Sequence, residues 1–259
     1  MDLGIEGRRA IVCASSKGLG KACAEALAAE GVHVVISGRT ADSVEQTCVE
    51  INARNRGRAV GVVADVATAE GRAALLAVSP EPDILVNNCA GPAPKMFLDI
   101  DPSAWPEAVE RNMTSPLLLT QAVLPAMKQR AFGRIINITS AMVTTPRPHM
   151  TLSSAPRAGL TAAMKAVALD VARHNVTINN LLPERIDTER QHFMAEAAAR
   201  REGVSYEEAR RRQIESIAAG RLGQPREFGA ACAFLCSALA GFISGQNLHL
   251  DGGSYPALI

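Results

Sequence analysis

Aromatic side chains are scarce: 3% of 259 residues, with one tryptophan and two tyrosines, Tyr206 and Tyr255. Chemistry that needs a phenol therefore has two positions to draw on. Net charge is nearly absent at +1, so no global field draws the chain to nucleic acid or to an anionic membrane. No apolar run reaches eighteen residues, which excludes a spanning helix and predicts no membrane partner. Residues Met1 to Glu6 lack a basic-then-apolar leader, so a cytoplasmic protein is expected. The six cysteines (Cys13, Cys23, Cys48, Cys89, Cys232 and Cys236) have no histidine spaced with them as zinc ligands would be. They read as buried thiols in a reducing compartment, and no metal is expected. Repeats, low-complexity segments and linkers are missing as well, which predicts a single domain over 1–259.

What is present is an ordinary globular composition, 47% hydrophobic and 20% charged. Its organising stretch is Ala14-Ser15-Ser16-Lys17-Gly18-Leu19-Gly20, set between an apolar run (Ala10-Ile11-Val12) and a helical pattern over Leu19 to Glu30. Strand, tight turn and helix in that order make a phosphate cradle, because the first N–H groups of the helix point at the turn. Further on, apolar strand-like runs at 32–36, 59–64, 84–86, 134–140, 176–182 and 247–250 alternate with helical patterns. The alternation predicts an α/β fold with a parallel sheet covered on both faces. A polar, helix-rich stretch from 189 to 220 interrupts it and reads as an inserted lid. The arginines at 200–201 and 210–212 are balanced by Glu196, Glu202, Glu207, Glu208 and Glu215 at helical spacing, so that face is solvated rather than a nucleic-acid patch.

Candidate ligand contacts follow successive strands, where open α/β sheets bind ligands. After the second strand comes Gly38-Arg39, at the position where an NAD-selective site carries an acid for the ribose 2′-hydroxyl. A guanidinium there, with Lys17 in the turn, suits a 2′-phosphate and predicts NADP(H). Asp65, with Val66 beside it, follows the third strand and can accept from an adenine amine. Asn87 follows the fourth and can bridge strand ends and ribose.

With Asn87-Asn88-Cys89-Ala90-Gly91, Asn112, Ser140, Pro183 with Ile186-Asp187-Thr188, Arg221 to Pro225, and Asp251-Gly252-Gly253, these residues resemble the short-chain dehydrogenase/reductase family over nearly the full length. The likeness is strongest to 3-oxoacyl-acyl-carrier-protein reductases. It implies a single Rossmann-type, doubly wound domain with seven parallel strands in the order 3-2-1-4-5-6-7. It further implies hydride exchange between a nicotinamide and a small carbonyl or alcohol, an acyl thioester included, in a homotetramer or dimer. It adds Cys89, Ala90, Ile138, Arg157, Pro183, Ile186 and Thr188 to the cofactor contacts.

The family's catalytic set is Asn, Ser, Tyr and Lys, and here only part of it is kept. Asn112 and Ser140 occupy their positions, and Pro116 has no N–H to give the Asn112 carbonyl, which is thereby freed for a water. Ser153 stands where the tyrosine belongs and Arg157 where the lysine belongs. A serine hydroxyl is far less acidic than a phenol, and a guanidinium does not shuttle protons at neutral pH. The proton source is left open among His149, Tyr206, Tyr255 and a water held by Ser140 and Asn112. Two smaller departures are Ala14, which costs little if its φ stays negative, and Glu184, an acid near the expected nicotinamide face. An oxidoreductase with a displaced proton donor is one reading. A non-catalytic NADP(H)-binding sensor or partner protein is the other.

Overall fold

The computed structural model describes residues 1–54 and 56–258. Its seven strands are β1 (Arg9–Val12), β2 (His33–Gly38), β3 (Ala59–Val63), β4 (Ile84–Asn87), β5 (Gly133–Ile138), β6 (Val176–Pro183) and β7 (Asn247–Leu250). They form one sheet in the order β3-β2-β1-β4-β5-β6-β7, and every pairing is parallel. The doubly wound order expected from the sequence is therefore the one observed. The order reverses between β1 and β4, which opens a crevice beyond their carboxyl ends.

Buried apolar residues alternate between the sheet's faces, as the two-residue period of a strand requires. Ala10, Val12, Val34, Ile36, Val86 and Ile136 join one core with α1 (Gly18–Ala29), α2 (Ala41–Arg54) and α9 (Pro225–Cys236). Ile11, Val35, Leu85, Ile135 and Ile178 join the other with α3 (Ala69–Val78), α5 (Ser115–Gln129) and α6 (Thr151–Val171). Thr68 caps α3 by accepting from the Gly71 N–H at 3.0 Å. The helical pattern at 101–129 resolves into α4 (Ala104–Val109), one π-helical turn (Glu110–Thr114) and α5. Pro116 lies just beyond that turn, so the helix widens around Asn112, where a carbonyl has lost its donor. The stretch expected to be a lid forms α7 (Glu189–Glu202) and α8 (Tyr206–Glu215); Arg212 pairs with Glu202 inside it at 3.0 Å, whereas Arg210 pairs with Asp187 outside it at 2.8 Å.

Beneath the crevice a row of carboxamides crosses four strands in register. Asn87 Nδ2 donates to Asn137 Oδ1 at 2.9 Å, Asn137 Nδ2 to Asn180 Oδ1 at 2.9 Å, and Asn180 Nδ2 to Asn247 Oδ1 at 2.8 Å. Asn87, Asn137 and Asn180 are buried, whereas Asn247 lies at the exposed edge. Removing a middle member strands one donor and one acceptor, each costing roughly 1–3 kcal/mol when buried. Asn137→Ala should thus lose about 3 kcal/mol of stability in urea unfolding, and Asn247→Ala under about 1 kcal/mol, since water replaces its partner. Equal losses from the two variants would refute a cooperative ladder.

Candidate active site

A cavity of about 540 Å³ runs along the crevice from the turn after β1 to the start of the lid. Most sequence-singled residues line it: Ala14, Ser16, Lys17, Gly18, Leu19, Arg39, Asp65, Val66, Cys89, Ala90 and Ile138, then Ser140, His149, Ser153, Arg157, Pro183, Ile186 and Thr188. Ser15, Gly20, Asn87, Asn112 and Tyr206 do not.

The turn is pinned to β2 from below. Ser15 is buried, with its hydroxyl donating to the Val12 carbonyl at 2.6 Å and accepting from the Ser37 N–H at 3.0 Å. The Ala14 N–H donates to Ser37 Oγ at 2.9 Å. These bonds hold Ala14 at φ +45, so the condition under which alanine costs little there is not met. Gly20 supports the turn rather than facing the cavity, because a side chain there would collide with the Ala14 carbonyl oxygen. Gly18, at φ +57, has open space where a Cβ would stand. Among the described residues no side chain caps the N-terminus of α1, which leaves its first N–H groups to bind an anion in the cavity.

Arg39 lies exposed at one mouth, with no ion-pair partner among the described residues. Lys17 reaches Glu189 of the lid at 3.5 Å. Asp65 meets the cavity as one half of a two-point ion pair with Arg111, at 3.2 and 3.0 Å, rather than as a free acid. Burial pushes its carboxyl up, but the Ala67 N–H and Arg111 outweigh this and hold it below its ordinary value. Asn87 does not reach the ligand side as expected. Its Nδ2 donates to Asn137 and to Thr120 at 3.2 Å, its Oδ1 is buried without a partner among the described residues, and Asn88 lines the cavity instead.

The other end is built by β5, α6 and the segment after β6. Ser140 opens a short 3₁₀ turn, and its Oγ accepts from the Met142 N–H at 3.2 Å, which leaves the hydroxyl proton free to donate into the cavity. Arg157 is buried, and its Nη1 donates to the Ile138 and Thr139 carbonyls at 2.8 Å each, with Nη2 at 3.4 Å from the Cys89 carbonyl. Among the described residues no carboxylate pairs with it, and burial lowers its pKa to about 10. Ser153 is buried beside it. Asn112 sits in the π turn, with Nδ2 donating to the Ala108 carbonyl at 3.1 Å and Oδ1 buried without a partner among the described residues. An unsatisfied oxygen there suits a water.

The proton candidates separate clearly. His149 lines the cavity, and burial together with Arg201, Arg147 and Arg185 holds its pKa below the ordinary value. Tyr206 is instead spent on the lid, where its hydroxyl lies 2.5 Å from His192 Nδ1. Tyr255 stacks on His249, with ring centroids 4.3 Å apart. Glu184 is explained by its neighbours: Arg147 donates to it at 3.0 Å and Arg185 stands at 3.5 Å. Arg147, Arg185 and Arg190 are cavity residues that the sequence reading passed over. The first two follow β5 and β6, so the strand-end rule that found Asp65 would have found them too.

Similarity to known proteins fits this geometry. The family model described as Enoyl-(Acyl carrier protein) reductase matches residues 13–255. The 3-oxoacyl-[acyl-carrier-protein] reductase of Vibrio cholerae is 32% identical over 256 residues, spanning 98% of this chain and 99% of its own. L-Sorbose reductase from Gluconobacter frateurii, solved with NADPH and L-sorbose, superposes with a TM-score of 0.93 at 27% identity over 100% of both chains. A 3-oxoacyl (acyl-carrier-protein) reductase from Agrobacterium tumefaciens C58, solved with NADP bound, gives 0.85 at 30% identity over 97% of this chain and 96% of its own.

The left-handed Ala14 yields a direct check on the turn. An L residue there costs roughly 1–2 kcal/mol, and the extra chain entropy of glycine returns about 0.5–1 kcal/mol of that. Ala14→Gly should raise stability by about 0.5–1 kcal/mol, visible as a higher thermal midpoint. A lower midpoint would show that the turn is not strained.

Proposed function

Because the chain belongs to the short-chain dehydrogenase/reductase family, we propose that it is an NADP(H)-dependent oxidoreductase that exchanges a hydride with a carbonyl or alcohol substrate. The observation that carries this reading is the single cavity joining the glycine turn and Arg39 to Ser140, His149 and Ser153. The residues present fit the cofactor. The uncapped start of α1 and the open space over Gly18 suit a diphosphate, and the unpaired Arg39 suits a 2′-phosphate. When bound, NADP(H) supplies the hydride or accepts it; the protein must supply the proton and fix the reacting oxygen.

Ser140 donates its hydroxyl proton to the substrate oxygen and so holds it where charge develops. Arg157 adds a fixed positive charge to that wall but moves no proton. His149 is the titrating group suited to the proton transfer that the family assigns to tyrosine. With its pKa depressed, the imidazole is neutral at pH 7 and acts as a base toward an alcohol. We read the protein as a single-domain cytoplasmic homo-oligomer, a dimer or tetramer. Six free thiols support the compartment, and exposed apolar side chains such as Phe242, Leu239 and Leu169 support association.

Two outcomes follow. Alcohol oxidation should be level above pH 6.5 and fall as pH drops through the lowered His149 pKa, because the protonated ring no longer accepts. Carbonyl reduction should have the opposite slope. His149→Asn should remove that limb and lower turnover roughly 10²–10⁴-fold, the usual worth of general acid–base catalysis. Turnover of a broad ketone and 3-oxoacyl thioester panel equal to that of a Ser140→Ala control would favour the non-catalytic binding protein instead. Arg39→Ala should weaken NADPH about 10–100-fold, the equivalent of one or two charge-assisted hydrogen bonds, and leave NADH unchanged when binding is followed by nicotinamide fluorescence.

A further inference from the structure

The proposed cofactor accounts for the cations at one end of the cavity and leaves those at the other end without an assignment. Three carboxylates line the cavity. Asp65 is held by Arg111 and Glu189 by Lys17, so Glu184 alone faces Arg147, Arg157, Arg185 and Arg190. Two of these four guanidinium groups have structural work. Arg157 holds the main-chain carbonyls of Ile138, Thr139 and Cys89. Arg190 bridges from the lid to the Pro92 carbonyl at 2.6 Å.

Arg147 and Arg185 are different. Arg147 spends one nitrogen on Glu184, at 3.0 Å. Arg185 makes only a 3.5 Å ion contact to the same oxygen, and its buried Nε has no hydrogen-bond partner. Among the described residues no hydrogen bond satisfies any part of the Arg185 guanidinium, although its side chain is only 19% exposed. A donor on a permanent charge, buried without an acceptor, is costly unless a ligand brings one.

The backbone sharpens the point. Arg185 adopts φ +56, a left-handed angle that glycine takes freely and arginine does not. Non-glycine residues in this region gather at ligand sites, where surrounding structure holds the strain. Here strain, burial and an unsatisfied charge fall on one side chain, at the end of the cavity where Ser140 and His149 would meet substrate.

We propose that the carbonyl or alcohol substrate carries an oxyanion, a carboxylate or a phosphate monoester, and that Arg185, with Arg147 beside it, binds that group. The inference rests on the oxidoreductase reading and narrows its substrate class. Paired guanidinium forks match the planar geometry of such oxyanions. A long neutral acyl chain in the same place would strip water from these charges and return no acceptor.

Binding to the full-length protein, measured by calorimetry with and without NADPH, tests this separately from turnover. Acetoacetate and 2-oxoglutarate are compared with their methyl esters, and glyceraldehyde 3-phosphate with glyceraldehyde. At least one acid or phosphate should bind tenfold or more tightly than its neutral counterpart. That ratio should collapse in Arg185→Gly, whose thermal midpoint should hold or rise because glycine suits φ +56. Arg185→Lys should retain part of the ratio. The arm that shows preference identifies the oxyanion. Neutral compounds binding as well as their anionic partners, or a ratio unchanged in Arg185→Gly, overturns the inference. Failure of NADPH to bind bears on the cofactor reading alone, since the anion ratio is also read on the protein without it.

Discussion

The register of β4 to β7 is the constraint on which the site depends, and a line of carboxamides, buried in β4 to β6 and exposed at β7, fixes it. Asn87, Asn137, Asn180 and Asn247 sit side by side across four parallel strands, each passing a donor to the next. A slip of one residue would send every side chain of a strand to the opposite face and break the row. What the row aligns lies just above it. Gly91 lies four residues beyond Asn87, Ser140 three beyond Asn137, and Glu184 and Arg185 four and five beyond Asn180. Cavity-lining residues from three separate loops therefore rise from one level, at the strand ends where the crevice opens.

Much of this could be read in the sequence, and the reasons are physical. Parallel strands buried on both faces leave dense β-branched runs between helical patterns, and a 2′-phosphate site replaces an acid by a base at a fixed distance from the turn. Those signals are local. The misreadings come from contacts that join distant segments. Asn87 looked like a ligand residue because it ends a strand, but its partners lie 33 and 50 positions away, at Thr120 and Asn137. Tyr206 was a candidate because it is one of two phenols, yet its place is set by His192 across the lid. The sign of the Ala14 φ could not be read locally, because the bonds that impose the left-handed angle come from Ser37 on the neighbouring strand. Glu184 had no meaning without Arg147, which only the fold brings near.

Arg157, at the position where the family resemblance sets a lysine, divides two tasks that an amine can combine. An ammonium holds charge and, when desolvated, can titrate; a guanidinium holds charge alone. Here the guanidinium is tied to three main-chain carbonyls, so it braces α6 against the ends of β4 and β5 while keeping a positive potential in the wall. Its own burial lowers its pKa only to about 10, which leaves the charge in place at any physiological pH. A serine in place of the phenol is consistent with that division. Without a titrating neighbour a phenol of ordinary pKa near 10 would gain little as an acid or base at neutral pH, whatever its position.

The arginines at the far end link charge recognition to proton transfer. Burial and the nearby charges of Arg147, Arg185 and Arg201 hold the His149 pKa down, so the free protein keeps that imidazole neutral. An oxyanion held between Arg147 and Arg185 offsets part of that positive potential, and its own charge favours the imidazolium. Linkage requires the converse: a proton on His149 tightens the binding of an anion by the same factor. A neutral carbonyl compound brings no such charge and leaves His149 a poor acid. Arg147 and Arg185 thus join anion binding and His149 protonation through one electrostatic quantity. On the proposed assignment of His149 to proton transfer, the binding of an anionic substrate would itself favour the protonated imidazole.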